Sequence, residues 1–142
     1  MKENINALDE LNKGATMGVD AVNIILDKIK EKKLTSIVKS LLKEYESTIE
    51  GVNKIYNEYT KGEPKETSMM NKIMTKKGIE MNLTMDTNDS KISELLIQGI
   101  NMGIIEGRRM LNNKNIDKDI HKLIDDYVSY QEKYLNSLKD FL

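Results

Sequence analysis

Carboxylates and a single histidine set the metal and acid–base chemistry open to this chain. Acidic side chains gathered inside a helical bundle can bridge two iron or manganese ions, and such centres take a Glu-x-x-His pair from each of two helices. Here the one imidazole is His121, and the residue three before it is Lys118. No Glu-x-x-His occurs, so no ordinary dinuclear centre fits within one chain, and neither a metal nor another cofactor is expected. An all-carboxylate site would have to draw on Asp20, Glu46 or Glu50, Glu106 and Glu132. With 23 acidic residues against 22 basic ones, such groupings arise on helix surfaces as i,i+4 pairs with lysine. Solvated faces are the preferred reading for them. His121 has Asp117 and Asp125 four residues to either side, the pattern of an exposed, ion-paired histidine rather than a metal clip.

Glu106 stands apart because it follows Ile104 and Ile105 on an apolar stripe. A buried carboxylate needs partners, since isolated burial raises its pKa or costs several kcal/mol. Arg109, Tyr127 and Gln131 are the candidates. Together the four read as a polar layer that fixes helix register, or as the lining of a ligand site. On the same helix Gly99, Gly103 and Gly107 share one face. Each costs about 1 kcal/mol of helix stability relative to alanine. Something must therefore approach this stripe closely: a neighbouring helix, a second subunit, or a ligand against bare backbone. Tyr45, Tyr56, Tyr59, Tyr127, Tyr130 and Tyr134 fall near seam positions, so the interior is expected to be semi-polar, with hydroxyls seeking partners.

Other chemistries are excluded by what is missing. Without cysteine there is no disulfide framework, zinc knuckle or thiol nucleophile. No P-loop, GxGxxG, GxSxG or HExxH occurs. A net charge of −1 and only two arginines, Arg108 and Arg109, argue against nucleic acid. The longest apolar run is Ile24-Ile25-Leu26, far short of the roughly 20 residues of a membrane span, and no secretory signal opens the chain. A cytoplasmic protein is the expectation.

The elements that must position these residues are helices. One proline stands in 142 residues, and apolar residues step by three and four. Leu8, Leu11, Ala15, Gly18, Val22, Ile25 and Ile29 form one seam; Val38, Leu41, Tyr45, Thr48, Val52, Ile55 and Tyr59 form another. The register jumps near Glu31-Lys32-Lys33, which predicts a turn and an antiparallel hairpin of helices over about 4–31 and 34–60. Gly62 and Pro64 end that hairpin. A Met-rich stretch over about 66–85 is long enough to travel the bundle, and helices over about 90–111 and 116–141 make a second hairpin. In one all-α domain this predicts a four-helix bundle with a long helical crossover, the ferritin-like topology, with a simple up-down five-helix bundle as the competing layout.

This layout resembles an uncharacterised bacterial group of ferritin-like four-helix proteins, domain of unknown function 2383. The resemblance rests on the leading hairpin, Glu80-Met81-Asn82 in the crossover, the acidic turn after it, the Gly-spaced helix from Gln98-Gly99 to Glu106-Gly107, and Gln131 in the closing helix. It implies the ferritin-like fold and no established activity. The functional expectation is a non-enzymatic module that associates with itself, as a dimer or other oligomer, or binds a helical protein partner. The alternative is a degenerate carboxylate-bridged metalloprotein of oxidase or storage type.

Overall fold

A computed structural model describes residues 2–66, 72, 76–80, 83 and 87–142. Among them there is no strand: the architecture is all-helical. Helix α1 spans Lys2–Ile25, a single 3-10 turn covers Leu26–Lys28, and α2 spans Lys32–Tyr56. After a connection over 57–88, in which 76–80 are helical, come α3 (Asp89–Leu111) and α4 (Lys118–Lys139). None of these helices is long and apolar enough to cross a membrane.

The heptad-like seams of α1 and α2 face inward as their spacing dictates. Leu8, Leu11, Ala15, Val22 and Ile25 meet Leu34, Val38, Leu41, Tyr45 and Val52 in one core. Ile92, Leu96 and Ile100 from α3 join it, with Ile120, Ile124, Tyr127, Val128 and Leu138 from α4. Each fully buried Leu or Ile contributes roughly 1.5–3 kcal/mol. Two details differ from the seam reading. Tyr56 rather than Ile55 or Tyr59 closes the α2 seam, and Ile105 is 44% exposed on the outer face of α3.

Helix α1 ends at Ile25 instead of near residue 31, and the reason is tertiary. The Asp89 carboxylate, at the first residue of α3, accepts the backbone N–H groups of Lys30 (3.0 Å) and Glu31 (2.9 Å). Those donors are drawn outward, so Ile29 is extended and the chain cannot continue as helix. Lys28 Nζ covers the freed carbonyl of Ile24 at 2.9 Å. Asn88 caps α3 by accepting the N–H of Lys91 at 2.9 Å, so the helix starts just ahead of its expected position.

These contacts also fix direction. Asp89 puts the start of α3 at the α1–α2 turn, so the connection 57–88 returns the full length of the bundle. The opposite end is tied by Asn4 Oδ1, which accepts the N–H of Asp117 ahead of α4, and by Tyr59, whose hydroxyl reaches Asp117 and Asp119. Neighbours are therefore antiparallel in the order α1, α2, α4, α3. The ring is tight at α1–α2, α2–α4 and α3–α4, and loose where α3 returns to α1.

The expected helix over 66–85 is described only in part. Ile79 and Leu83 pack against the core. Met69, Met70, Ile73, Met74, Met81 and Met85, and Asn82 with them, lie outside the described residues.

Candidate functional site

Three aromatic rings meet at the middle of the bundle. Tyr45 of α2 lies with its ring centre 6.3 Å from that of Tyr127 and 5.7 Å from that of Tyr130, both on α4. Tyr127 and Tyr130 meet edge to face at 5.7 Å, the arrangement that ring quadrupoles favour. Their hydroxyls are met unevenly. Tyr130 pairs with Thr48 Oγ1 at 2.8 Å, and Tyr45 donates to Gln131 Oε1 at 3.1 Å. Burial pushes all three phenols up. For Tyr45 the neighbouring Tyr127 adds to the rise. Tyr127 reaches about 12, the Gln131 amide beside it offsetting part of the effect of burial. For Tyr130 the Thr48 hydrogen bond is likewise outweighed by burial.

Glycines make room for this cluster. A Cβ on Gly18 would stand 2.6 Å from the Tyr45 ring, and one on Gly14 would stand 2.5 Å from the Tyr127 hydroxyl. On α3, a Cβ at Gly103 would come within 2.5 Å of Gln131 Oε1, and one at Gly107 would collide with Val128. The stripe on α3 is therefore split. Gly103 and Gly107 receive side chains from α4, whereas a Cβ on Gly99 would meet no atom of the described residues within 4 Å and would face the space beside them.

That space is a groove of about 810 Å³ between α1 and α3, where the ring of helices is loosest. Its walls are Gly14, Met17, Gly18, Ala21 and Val22 on one side and Leu95, Gly99, Met102 and Gly103 on the other. Tyr45, Tyr127 and Gln131 close its inner end, and Lys65, Glu66 and Ile79 of the connection border it. The groove falls in the size range of small-molecule sites and is mostly apolar. Charge is confined to its rim, where each acid has a cation: Glu10 with Lys13 (3.1 Å), Glu66 with Lys72 (3.5 Å) and Glu106 with Arg109 (2.9 Å).

The four residues read from the sequence as one polar constellation do not form one. Gln131 is 1% exposed and Tyr127 is buried with it. Glu106 and Arg109 face solvent as an i,i+3 pair, because residue 106 falls on the rim, beyond the buried face of α3. The carboxylates considered for a metal are also dispersed. Asp20 lies 3.9 Å from Lys72, Glu50 is exposed 4.0 Å from Lys54, and Glu132 holds Arg108 at 2.8 Å. Glu46 is exposed, and so is His121. Asp117 turns its carboxylate to Tyr59 at 3.0 Å. Among the described residues no three His, Asp or Glu side chains gather.

Sequence reasoning passed over a second polar cluster, at the foot of the groove. Asp9 and Asn12 are buried on α1. Asp9 Oδ1 accepts from the Tyr56 hydroxyl (2.8 Å) and from the N–H of Lys65 (3.0 Å), and Asn12 Nδ2 donates to the Lys65 carbonyl (3.0 Å). The amide and the carbonyl of Lys65 are thus both gripped just after Pro64, where the connection begins its return. Burial, with the Asp9 hydrogen bond and charge, pushes Tyr56 up to about 12. The available signal was polar residues beside the Leu8–Leu11 seam; Gly14 and Gly18, four apart, were a similar signal for the notch. No protein-family model matches this chain, and no curated protein or solved structure matches it either.

Proposed function

We propose that this chain is a ferritin-like four-helix bundle without enzymatic activity, and that it works by binding a small apolar guest in the groove between α1 and α3. The antiparallel hairpins and the full-length return of 57–88 support the ferritin-like reading and the resemblance to the bacterial group. One observation carries the function: an apolar groove of about 810 Å³, walled by bare glycine backbone, ends on a buried amide. The titratable groups around it are poorly set for catalysis. Its acids are rim residues neutralised by lysine or arginine, and its phenols are held in the protonated form. The alternative of a degenerate metal centre loses support as well, since Asp20, Glu50, Glu106 and Glu132 each lie beside a different cation and Glu46 is exposed.

A helical protein partner suits the groove less well than a small molecule. A helix with side chains is about 10–12 Å across and would have to displace Lys65, Glu66 and Ile79. A second reading, a homodimer, rests on Met102 and Ile105, which are 67% and 44% exposed one turn apart on α3. Sedimentation equilibrium separates the two: a dimer abolished by Met102→Lys supports it, and a monomer at high concentration removes it.

The guest-binding reading is tested by titrating Nile red, an uncharged apolar dye. Saturable one-to-one binding with a blue-shifted emission is expected, lost in Gly99→Leu, which adds bulk to the groove wall at a position where a Cβ meets no described atom within 4 Å. Absence of saturable binding, or binding unaffected by Gly99→Leu, overturns it.

A further inference from the structure

The groove's inner end holds an unused hydrogen-bond donor. Gln131 Oε1 is taken by the Tyr45 hydroxyl, whereas its Nε2 is buried beside the Tyr127 hydroxyl without a well-formed hydrogen bond to any described residue. An orphaned donor in a protein interior carries its full desolvation penalty with nothing to offset it. Gln131 is held firmly in this position, being 1% exposed and fitted against Gly103, where any Cβ would strike it. A guest that completes this bond recovers the cost of the orphaned donor.

The surroundings set the chemistry of that guest. Besides Gln131, the inner polar groups are the Tyr45 and Tyr127 hydroxyls, all neutral. Among the described residues, cations appear only at the rim, where Lys13, Lys72 and Arg109 are already paired with Glu10, Glu66 and Glu106 and Lys65 stands beside them, away from the inner end. A carboxylate or phosphate would lose its hydration here without gaining a counter-charge, at a cost a neutral acceptor does not carry. We infer that the groove recognises an uncharged apolar molecule bearing a carbonyl oxygen, with Gln131 Nε2 as the donor that fixes its orientation. This inference rests on the groove being the binding site.

Three naphthalenes substituted at the same ring carbon separate the terms: acetylnaphthalene has the carbonyl, ethylnaphthalene the same shape without it, and naphthoate the anion. Each competes with Nile red against the wild type and Gln131→Met. The substitution should weaken acetylnaphthalene by about tenfold, the size of one buried hydrogen bond, and move ethylnaphthalene by less than about twofold. Naphthoate should compete least against either protein. Equal loss for both neutral compounds, loss for neither, or naphthoate as the best competitor overturns the assignment. The carbonyl stretch of acetylnaphthalene bound to the wild type gives a readout that does not depend on the variant folding. A band below its position in hydrocarbon solvent is expected, and an unshifted band refutes the hydrogen bond. Bound Nile red with an unshifted carbonyl removes only the donor; Nile red that does not bind removes the groove reading itself.

Discussion

Tyr45 of α2 and Gln131 of α4 meet through a 3.1 Å hydrogen bond across the bundle, and each sits opposite a glycine of another helix. Gly18 faces the ring and Gly103 faces the amide, so the two notches decide how far the polar pair can lean towards the groove.

Adding methyl groups at the glycines should therefore have opposite effects by position. Gly18→Ala drives Cβ into a ring already pinned by Tyr127 and Tyr130, and should destabilise by about 1–3 kcal/mol. Gly99→Ala meets no described atom within 4 Å and should stabilise by up to about 1 kcal/mol through helix propensity. Urea unfolding measures both; equal effects at the two sites would contradict the notch account.

Asp9→Ala should cost about 2–3 kcal/mol, because the Tyr56 hydroxyl and the Lys65 N–H both lose a charged acceptor. Hydrogen exchange at the Lys65 amide should quicken before the rest of α1 and α2 responds. Unchanged protection at Lys65 would show that the clamp does not hold the connection.

Alkaline pH should unfold the protein through its phenols. Their folded pKa values lie above the ordinary value of about 10, so above pH 10 the unfolded chain binds fewer protons than the folded one, and stability falls as pH rises. The stability they contribute is complete below pH 10 and is lost towards about pH 12 for Tyr56 and Tyr127. Tyrosinate absorbance should accordingly lag behind free tyrosine and rise together with the loss of helical circular dichroism. Titration of these groups at an ordinary value in a still-helical protein would contradict their burial.

The fold was legible in the sequence wherever one helix face was strictly apolar. Leu8, Leu11 and Ala15, or Val38 and Leu41, need only periodicity to be placed. The end of α1 was not legible, because Asp89, far along the chain, takes the donors of Lys30 and Glu31. The candidate site was half legible. Gln131, Tyr127 and the glycine stripe could be named from type and spacing, but spacing does not say which atom fills a notch. Glu106 shows the limit: its position beside Ile104 and Ile105 suggested burial, and the looseness of α1 against α3 leaves that edge wet. Asp9 and Asn12 escaped notice because their partner is a backbone peptide, which carries no mark in sequence.

Cutting the Asp89 tie should also shift local structure. Asp89→Ala frees two exposed donors and should destabilise by about 1 kcal/mol. Amide exchange should quicken at Lys30 and Glu31. Retained protection there would mean that the turn is set by its own residues.

The central claim, a small-guest groove between α1 and α3, is met most directly by amide and side-chain chemical shifts recorded while acetylnaphthalene is added. The account predicts saturable shifts at Gly14, Gly18, Gly99 and Gly103 and at the side-chain amide of Gln131, with the outer faces of α2 and α4 silent. Shifts scattered over those outer faces, or none at saturating compound, would contradict it.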